Sequence, residues 1–182
     1  LNCNTAGWGC DGAVWAYQWF KDHPDKCGRI GAVLEADYPY VGYQRSCQCT
    51  YTPQYRIRDW GLVNGLTPSV EDIKQALMDY GPVGVSLVAN VLRSGPGVIG
   101  GCPEYSVWDI NHAVMLVGWD DTKGNNGAWI LKNSWGDDWG TNGFCYIEYG
   151  CGWVGFSATY VVYGTGEGEG EGEGEGEGEG EG

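Results

Sequence analysis

Five short apolar segments dominate the chain beyond about residue 80, and each is bounded by glycine or by a cluster of polar residues. Some alternate apolar with polar positions and others are continuous, and segments of this length with these boundaries indicate β-strands. We therefore expect a domain rich in strands. The predicted strands are residues 83–89, 112–119, 128–132, 144–149 and 157–162.

Helical patterns are fewer. Residues 14–23 form an aromatic-rich segment that predicts a helix. A second helix is expected to begin with Thr67 as its N-cap and Pro68 in its first turn, because proline is favoured at that position. It is expected to end near Tyr80, before the glycine and proline at 81–82.

These elements divide the chain into three regions. Residues 1–58 are interpreted as part of a helical domain, and residues 59–163 as a β-rich domain. Residues 164–182 are an almost pure Gly-Glu repeat with like charge at every second position and no apolar side chain to bury. Such a segment is expected to be a disordered tail.

The charge balance disfavours one class of partner. The net charge is −14, and the eight Glu of the tail leave −6 when they are set aside. Nucleic-acid binding depends on basic clusters, so we expect no nucleic-acid partner. No run of eighteen apolar residues occurs, and no membrane span is predicted.

One histidine and one asparagine stand at the ends of neighbouring predicted strands. His112 opens a strand in the segment Asn-His-Ala-Val, and Asn133 follows the next strand in the segment Asn-Ser-Trp-Gly. The polar loop at 120–127 between them predicts a hairpin that brings the two side chains together. Alone, each segment is ordinary, since a lone histidine is usually a satisfied core group and Asn-Ser-Trp-Gly could be a simple turn. An imidazole held by an amide oxygen is what activates a thiolate nucleophile.

These segments resemble the histidine and asparagine motifs of the papain-like cysteine peptidases. Further segments resemble the same family: Gly-Cys-Asp-Gly-Ala at 9–13, Glu-Ala-Asp-Tyr-Pro-Tyr at 35–40, Gly-Pro-Val at 81–83 and Cys-Gly-Trp at 151–153. The resemblance covers residues 3–163. It implies an α+β fold of two domains, a helical one and an antiparallel β-barrel-like one, with the active-site cleft between them.

The resemblance also implies roles for individual residues. His112 would be the general acid and base, and Asn133 would orient it through the side-chain oxygen. Trp135 and, more loosely, Trp139 would shield that hydrogen bond from water. Phe156 falls where the family varies its main specificity pocket, and a bulky ring there favours medium-sized aliphatic side chains. The expected substrate-binding residues are Gly12, Ala13, Trp15, Asn111 and Phe156.

The nucleophile of the family is not found in these residues. Its signature, Cys-Gly-Ser/Ala-Cys-Trp/Tyr, is absent, and Cys10 lies in the segment that resembles the cleft loop. The family spacing places the nucleophile roughly 20–30 residues before Leu1. We therefore interpret the chain as an N-terminally truncated peptidase and expect no activity from it alone.

The eight cysteines suggest an oxidising compartment. The resemblance implies the pairs Cys3–Cys47 and Cys102–Cys151, and it leaves Cys10 without a partner. The pairing of Cys27, Cys49 and Cys145 stays open, with Cys27–Cys49 as one possibility. Metal-ligand spacing is absent, because Cys47 and Cys49 are separated by only one residue. No metal and no cofactor are expected.

Two classes of function remain open at this point. The first is a cysteine peptidase, with an endopeptidase favoured because no adjacent pair of histidines occurs between Gly12 and Tyr38. The second is a catalytically inactive homologue that serves as a binding or structural protein. The presence of His112, Asn133 and Trp135 together favours the enzyme. The partner of the enzyme would be a protein or peptide substrate. It would be located in the lysosome, in the vacuole or outside the cell, and the full-length protein would be a monomer.

Overall fold

The structure is a computed structural model that describes residues 3–8, 16–43, 45–94 and 97–164. The described residues form two compact units, one within residues 1–57 together with 163–164 and one within residues 58–162. The first boundary lies one residue before the predicted one. Tyr163 groups with the first unit rather than with the β-rich one, and its ring lies 6.4 Å from that of Tyr55. Of the predicted tail at 164–182, Gly164 is the last residue of a strand, and residues 165–182 lie outside the described part of the chain.

A seven-stranded mixed sheet is the main element of the structure. Its spatial order is β1-β7-β2-β4-β5-β6-β3. The pairs β2–β4, β2–β7, β4–β5 and β5–β6 are antiparallel, and β3 is parallel to β6. The strands are β1 (Arg56–Leu62), β2 (Val83–Leu87), β3 (Val98–Ile99), β4 (His112–Asp120), β5 (Ala128–Lys132), β6 (Phe144–Glu148) and β7 (Phe156–Gly164).

All five predicted strands are present, with ends within two residues of those expected. Strands β1 and β3 were not predicted. Strand β1 has the sequence Arg-Ile-Arg-Asp-Trp-Gly-Leu, and none of its residues is fully buried. Strand β3 has only two residues. Neither segment has the apolar pattern by which a strand is recognised, because each depends on its neighbour in the sheet.

Helix α2 spans Val70–Tyr80, and its N-cap is Ser69 rather than the predicted Thr67. The Ser69 hydroxyl accepts the backbone N–H of Asp72 at 3.1 Å, and the Asp72 carboxylate accepts the backbone N–H of Ser69 at 2.9 Å. This reciprocal pair is a capping box. Hydrogen bonds from the Ser69 hydroxyl, then from Asn64 and the Ser69 backbone, lower the pKa of Asp72. Pro68 therefore precedes the N-cap instead of occupying the first turn.

The core of the second unit lies between helix α2 and the sheet. Ile73, Ala76 and Leu77 form the buried face of the helix, and the helix packs against β2 and β4. Residues in β2 alternate between full and partial burial, as expected for a strand with one face in the core. This core fixes the strands that carry His112 and Asn133. Its fully buried side chains include Val83, Leu87, Leu116, Trp129, Leu131 and Ile147.

The first unit contains one short helix in its described part, α1 at Tyr17–Asp22. The predicted helix covered 14–23, of which 14 and 15 lie outside the described residues. The helix ends at Asp22 because His23 precedes Pro24 and is extended, as residues before proline tend to be. Within the described ranges, no helix is both long and apolar enough to cross a bilayer.

Asp25 organises the loop that follows α1. Its carboxylate accepts the backbone N–H groups of Cys27 at 2.7 Å and Arg29 at 3.0 Å, and the hydroxyl of Tyr51 at 2.8 Å. The Arg29 guanidinium lies 4.1 Å from the centre of the Tyr51 ring. The disulfide Cys27–Cys49 connects this loop to the rest of the unit, and the backbone N–H of Lys26 donates to the carbonyl of Cys3, itself paired with Cys47.

Candidate active site

His112 and Asn133 are placed by the β4–β5 hairpin. His112 is the first residue of β4, and Asn133 directly follows the last residue of β5. The strands are antiparallel, with Met115 opposite Lys132 and Leu116 opposite Leu131. The start of β4 and the end of β5 therefore meet at the same edge of the sheet, as the sequence predicted.

The two side chains form a hydrogen bond with Nε2 of His112 2.9 Å from Oδ1 of Asn133. The same Oδ1 accepts the backbone N–H of Ser134 at 2.8 Å. A backbone N–H can only donate, so this second bond identifies the amide atom that faces His112 as oxygen. An oxygen acceptor requires the proton on Nε2. The Nδ1 atom is then the imidazole nitrogen that can exchange a proton with a reacting group.

Asn133 is held firmly. Only 4% of its surface is exposed, and its backbone N–H donates to the carbonyl of Gly143 at 2.9 Å. Burial strengthens the hydrogen bond to His112, because water competes less for its donor and acceptor. Asn133 is therefore placed to fix the orientation of the imidazole ring.

The two predicted shielding tryptophans have different positions. The indole of Trp135 stacks on the His112 ring, with centroids 5.0 Å apart and planes inclined by 29°. The ring of Trp139 lies edge-on to that of Trp135, with ring centroids 5.7 Å apart. The Nε1–H of Trp139 donates to the carbonyl of Leu92 at 3.3 Å. Trp135 thus covers the imidazole directly, whereas Trp139 supports Trp135 from the core side.

The side chain of Asn111 forms a hydrogen bond with the backbone of a neighbouring segment. Its Oδ1 accepts the backbone N–H of Ala89 at 2.9 Å, and its own backbone N–H donates to the carbonyl of Leu87 at 3.2 Å. These bonds attach the residue before His112 to the end of strand β2. The sequence did not reveal this role, because the partners are backbone groups more than twenty residues away.

Phe156, at the start of β7, lines a cavity of about 710 Å³ in the second unit. The ring of Trp153 lies edge-on to the Phe156 ring, with centroids 6.1 Å apart. The Nε1–H of Trp153 donates to the carbonyl of Tyr105 at 2.7 Å. Glu104 and Glu148 also line the cavity. The other predicted substrate-binding residues, Gly12, Ala13 and Trp15, lie outside the described part of the chain.

The described cysteines offer no reactive thiol. Six of them form three disulfides, which include the implied pairs Cys3–Cys47 and Cys102–Cys151 and also Cys27–Cys49. Within the described ranges, the free cysteine is Cys145, buried in β6 opposite Leu131. Burial raises the pKa of its thiol to about 11. A neutral buried thiol is a poor nucleophile. Cys10 is not among the described residues.

Three sulfur atoms group closely in the first unit. The Sγ atoms of Cys27, Cys47 and Cys49 lie within 4.8 Å of one another. All three belong to disulfides, and a disulfide sulfur is not the thiolate that binds a metal. The group is therefore part of the disulfide framework of the unit.

Comparison with known proteins agrees with this geometry. The sequence model of the papain family of cysteine proteases matches residues 1–164. A viral cathepsin of Lymantria dispar multicapsid nuclear polyhedrosis virus is 31% identical over 167 residues, which are 89% of this chain and 44% of that protein. Cathepsin O of Mus musculus is 28% identical over 158 residues, which are 82% of this chain and 47% of that protein. The chain thus spans less than half the length of these relatives.

Solved structures show the same fold. The ragweed pollen cysteine protease Amb a 11, in its proform, superposes with a TM-score of 0.70 at 26% identity, over 88% of this chain and 49% of that one. Bromelain from Ananas comosus, in complex with the E64 inhibitor, superposes with a TM-score of 0.68 at 21% identity, over 88% of this chain and 74% of the bromelain chain. These similarities confirm the predicted α+β papain-like fold. Because the family model covers residues 1–164, the chain belongs to the papain family of cysteine proteases.

Proposed function

We propose that this chain is part of a cysteine peptidase in which His112 is the general acid and base and Asn133 orients it. One observation carries the proposal. Oδ1 of Asn133 accepts from Nε2 of His112 while the Ser134 N–H fixes the amide orientation, and Nδ1 is thereby assigned to proton transfer. This is the arrangement that nucleophilic catalysis by a thiolate requires.

The reaction follows from that assignment. A cysteine thiolate attacks the carbonyl carbon of the peptide, and the carbonyl π electrons move to the oxygen. As the C–N bond breaks, His112 gives the proton on Nδ1 to the leaving amine, and a thioester remains. Water then attacks the thioester while Nδ1 accepts its proton, and the thiolate departs. Asn133 keeps the ring in place through both steps.

The thiol of this proposal lies outside the described residues. The spacing of the family motifs leads us to expect it before Leu1, and Cys10 is the alternative within the chain. In either case the imidazolium of His112 stabilises the thiolate by ion pairing, which keeps a thiol ionised at acid pH. We expect activity at mildly acidic pH.

The substrate is proposed to be the interior of an unfolded protein or peptide. No adjacent pair of histidines occurs between Gly12 and Tyr38, so nothing of that kind restricts cleavage to chain ends. Phe156 falls where the family varies its main specificity pocket, and a substrate with a medium-sized aliphatic side chain is proposed to be favoured there.

The proposed setting is the lysosome, the vacuole or the exterior of the cell. The three disulfides of the described residues support it, because disulfides persist in oxidising compartments. We propose a monomer in the complete protein.

The test uses the complete gene product, assayed with a fluorogenic dipeptide amide and a thiol reductant. His112→Ala should lower kcat/KM by about 10²–10⁴-fold, the usual contribution of general acid–base catalysis. The matched control is His23→Ala, which replaces the only other histidine of the chain and should leave kcat/KM unchanged. An epoxide-type thiol inhibitor should label one cysteine.

Other outcomes have clear meanings. Normal turnover after His112→Ala would show that the mechanism is wrong. A complete protein that neither turns over nor accepts the epoxide would support an inactive homologue. The 182 residues alone are predicted to be inactive, and labelling of Cys10 with turnover by this chain would reassign the nucleophile.

A further inference from the structure

Two disulfides of the first unit are in contact with each other. Cys3 is paired with Cys47, and Cys27 is paired with Cys49. The Sγ atom of Cys27 lies 3.3 Å from the Sγ atom of Cys47, although the two sulfurs belong to different disulfides. This distance leaves no room for another atom between them. One sulfur of the first bridge is therefore already beside a sulfur of the second bridge that it can attack.

Burial distinguishes the four sulfur-bearing residues. Cys49 is exposed, Cys27 and Cys47 are half-buried, and Cys3 is buried with 8% of its surface exposed. A thiol from solution attacks the sulfur that it can reach, and the other sulfur of that bridge leaves as a thiolate. Attack at Cys49 therefore releases Cys27 as the thiolate, and Cys27 is the residue in contact with Cys47.

Hydrogen bonds around Asp25 hold these two sulfurs near each other. The Asp25 carboxylate accepts the backbone N–H of Cys27 at 2.7 Å and the hydroxyl of Tyr51 at 2.8 Å. The Tyr51 hydroxyl oxygen in turn lies 3.7 Å from Sγ of Cys47. These contacts do not need the bridge between Cys27 and its partner. The Cys27 sulfur therefore stays close to Cys47 when that bridge opens.

We propose that the four cysteines form a thiol–disulfide relay that responds to a small monothiol, such as reduced glutathione. The thiolate of the monothiol attacks Sγ of Cys49 and forms a mixed disulfide there. The Cys27–Cys49 bond breaks, and its electron pair leaves on Cys27. The Cys27 thiolate then attacks Sγ of Cys47, and a Cys27–Cys47 bond forms as the Cys3–Cys47 bond breaks. Cys3 leaves as a thiolate and takes up the proton that the monothiol lost.

The relay changes which segments of the unit are cross-linked. The Cys3–Cys47 bridge joins residues 44 positions apart, whereas its replacement, Cys27–Cys47, joins residues 20 positions apart. The segment before Cys27 thereby loses its covalent link to residues 47–49. The backbone N–H of Lys26 still donates to the carbonyl of Cys3 at 2.7 Å. The relay is thus a redox switch that releases the buried end of the framework, and it does not depend on the proposed peptidase function.

The first experiment treats the complete wild-type protein, folded and oxidised, with reduced glutathione. Free thiols are trapped over time with N-ethylmaleimide in acid and denaturant, because protonated thiols exchange slowly. Peptide mapping without reduction should find glutathione on Cys49, the maleimide on Cys3, and a Cys27–Cys47 bridge. This bridge should rise at least about tenfold above its level in untreated protein, because a neighbouring thiolate reacts far faster than one in solution.

Two single variants start the relay from opposite ends without added thiol. Cys49→Ser leaves Cys27 without its partner, and Cys3→Ser leaves Cys47 without its partner. Both variants should be recovered with the same Cys27–Cys47 bridge. The free thiol should then be found on Cys3 in the first variant and on Cys49 in the second.

The matched control is Cys151→Ser, which leaves Cys102 without its partner in the second unit. Its free thiol should stay on Cys102, and both bridges of the first unit should stay as they are. A thermal melt of each variant shows whether it is folded, and where a variant fails to fold, the mapping of treated wild type decides.

Three results would overturn the inference. The first is a maleimide label on Cys27 beside an intact Cys3–Cys47 bridge, in treated wild type or in folded Cys49→Ser. The second is treated wild type in which no cysteine of the first unit carries glutathione, since the first step would then not occur. The third is the same rearrangement in Cys151→Ser, because the exchange would then not depend on the contact between Cys27 and Cys47.

Discussion

The indole of Trp135 lies over the imidazole of His112, with ring centroids 5.0 Å apart, while 44% of its own surface remains exposed. One face of the indole therefore meets the histidine, and solvent reaches the rest. The hydrogen bond between His112 and Asn133 lies beneath an apolar group that excludes water from one side. A bond screened in this way is stronger than the same bond in water.

We predict that Trp135→Ala weakens this hydrogen bond by about 1 kcal/mol, the net value of a typical hydrogen bond, and lowers kcat/KM roughly fivefold. Trp135→Phe should lose less, since a smaller ring still covers the imidazole. The measurement is kcat/KM of the complete gene product on the dipeptide amide, with a thermal melt of each variant. Unchanged kcat/KM in Trp135→Ala would contradict the shielding role.

Replacement of Asn133 tests the orientation of His112. Asn133→Ala removes the oxygen that accepts from Nε2, and a hydrogen bond to a charged imidazolium is worth about 1.5–3 kcal/mol. We expect kcat to fall by about 10–100-fold, less than after His112→Ala. Asn133 is buried, so the melting temperature of the variant must also be measured. A loss as large as that of His112→Ala in a folded variant would show that Asn133 does more than orient the ring.

The N-cap of helix α2 can be tested by a pair of variants. Ser69→Ala removes the hydroxyl that accepts the Asp72 N–H and should lower the free energy of unfolding by about 1 kcal/mol. Thr67→Ala is the matched control and should have little effect, because Thr67 lies two residues before the N-cap. Chemical denaturation of the complete gene product measures both. The reverse order of effects would restore the N-cap that the sequence suggested.

The Asp25 loop gives a prediction on pH. Burial opposes the ionisation of the Asp25 carboxyl group. Hydrogen bonds from Arg29, Tyr51 and Cys27, together with the charge of Arg29, outweigh this effect, and the pKa of Asp25 is lower than its ordinary 3.8. A lowered folded-state pKa stabilises the folded loop at pH values above the unfolded pKa. That stabilisation is lost as the pH falls through the folded value. The loop should therefore be fully stable at mildly acidic pH and weaken below about pH 4.

The readout for this loop is local. After correction for intrinsic exchange rates, the amide hydrogens of Cys27 and Arg29 should exchange faster below about pH 4 in the wild type than at higher pH. In Asp25→Asn this pH dependence should disappear, whereas the control Asp37→Asn, at an exposed position, should keep it. Equal pH dependence in all three proteins would show that Asp25 does not control the loop.

The sequence allowed the pairing of His112 with Asn133 to be predicted because the signal was local. His112 and Asn133 end two apolar segments joined by a short polar loop, and an antiparallel hairpin leaves one way to place them. Trp135 follows two residues after Asn133 and could be inferred with it. The Ser134 N–H, which fixes the amide of Asn133, has no sequence signal, because every residue except proline has one.

What the sequence did not predict depends on distant partners. Strand β1 carries charged side chains, and its place in the sheet depends on β7, about one hundred residues away. Thr67 was predicted as the N-cap because proline is favoured in the first turn, whereas Ser69 caps the helix through a capping box that also requires Asp72. Asn111 stays a predicted substrate-binding residue, and the sequence did not reveal that its side chain accepts the backbone N–H of Ala89.

The burial of Cys145 has a practical consequence for counting the molecules that carry a reactive thiol. In a folded and oxidised sample, the disulfides and this shielded thiol leave the described cysteines unreactive toward iodoacetamide at neutral pH. Every alkyl group that the complete protein takes up under those conditions then reports a thiol from elsewhere in the polypeptide. The part of this alkylation that the epoxide-type inhibitor prevents is a titration of the attacking sulfur, and rates can be normalised to functional rather than total protein.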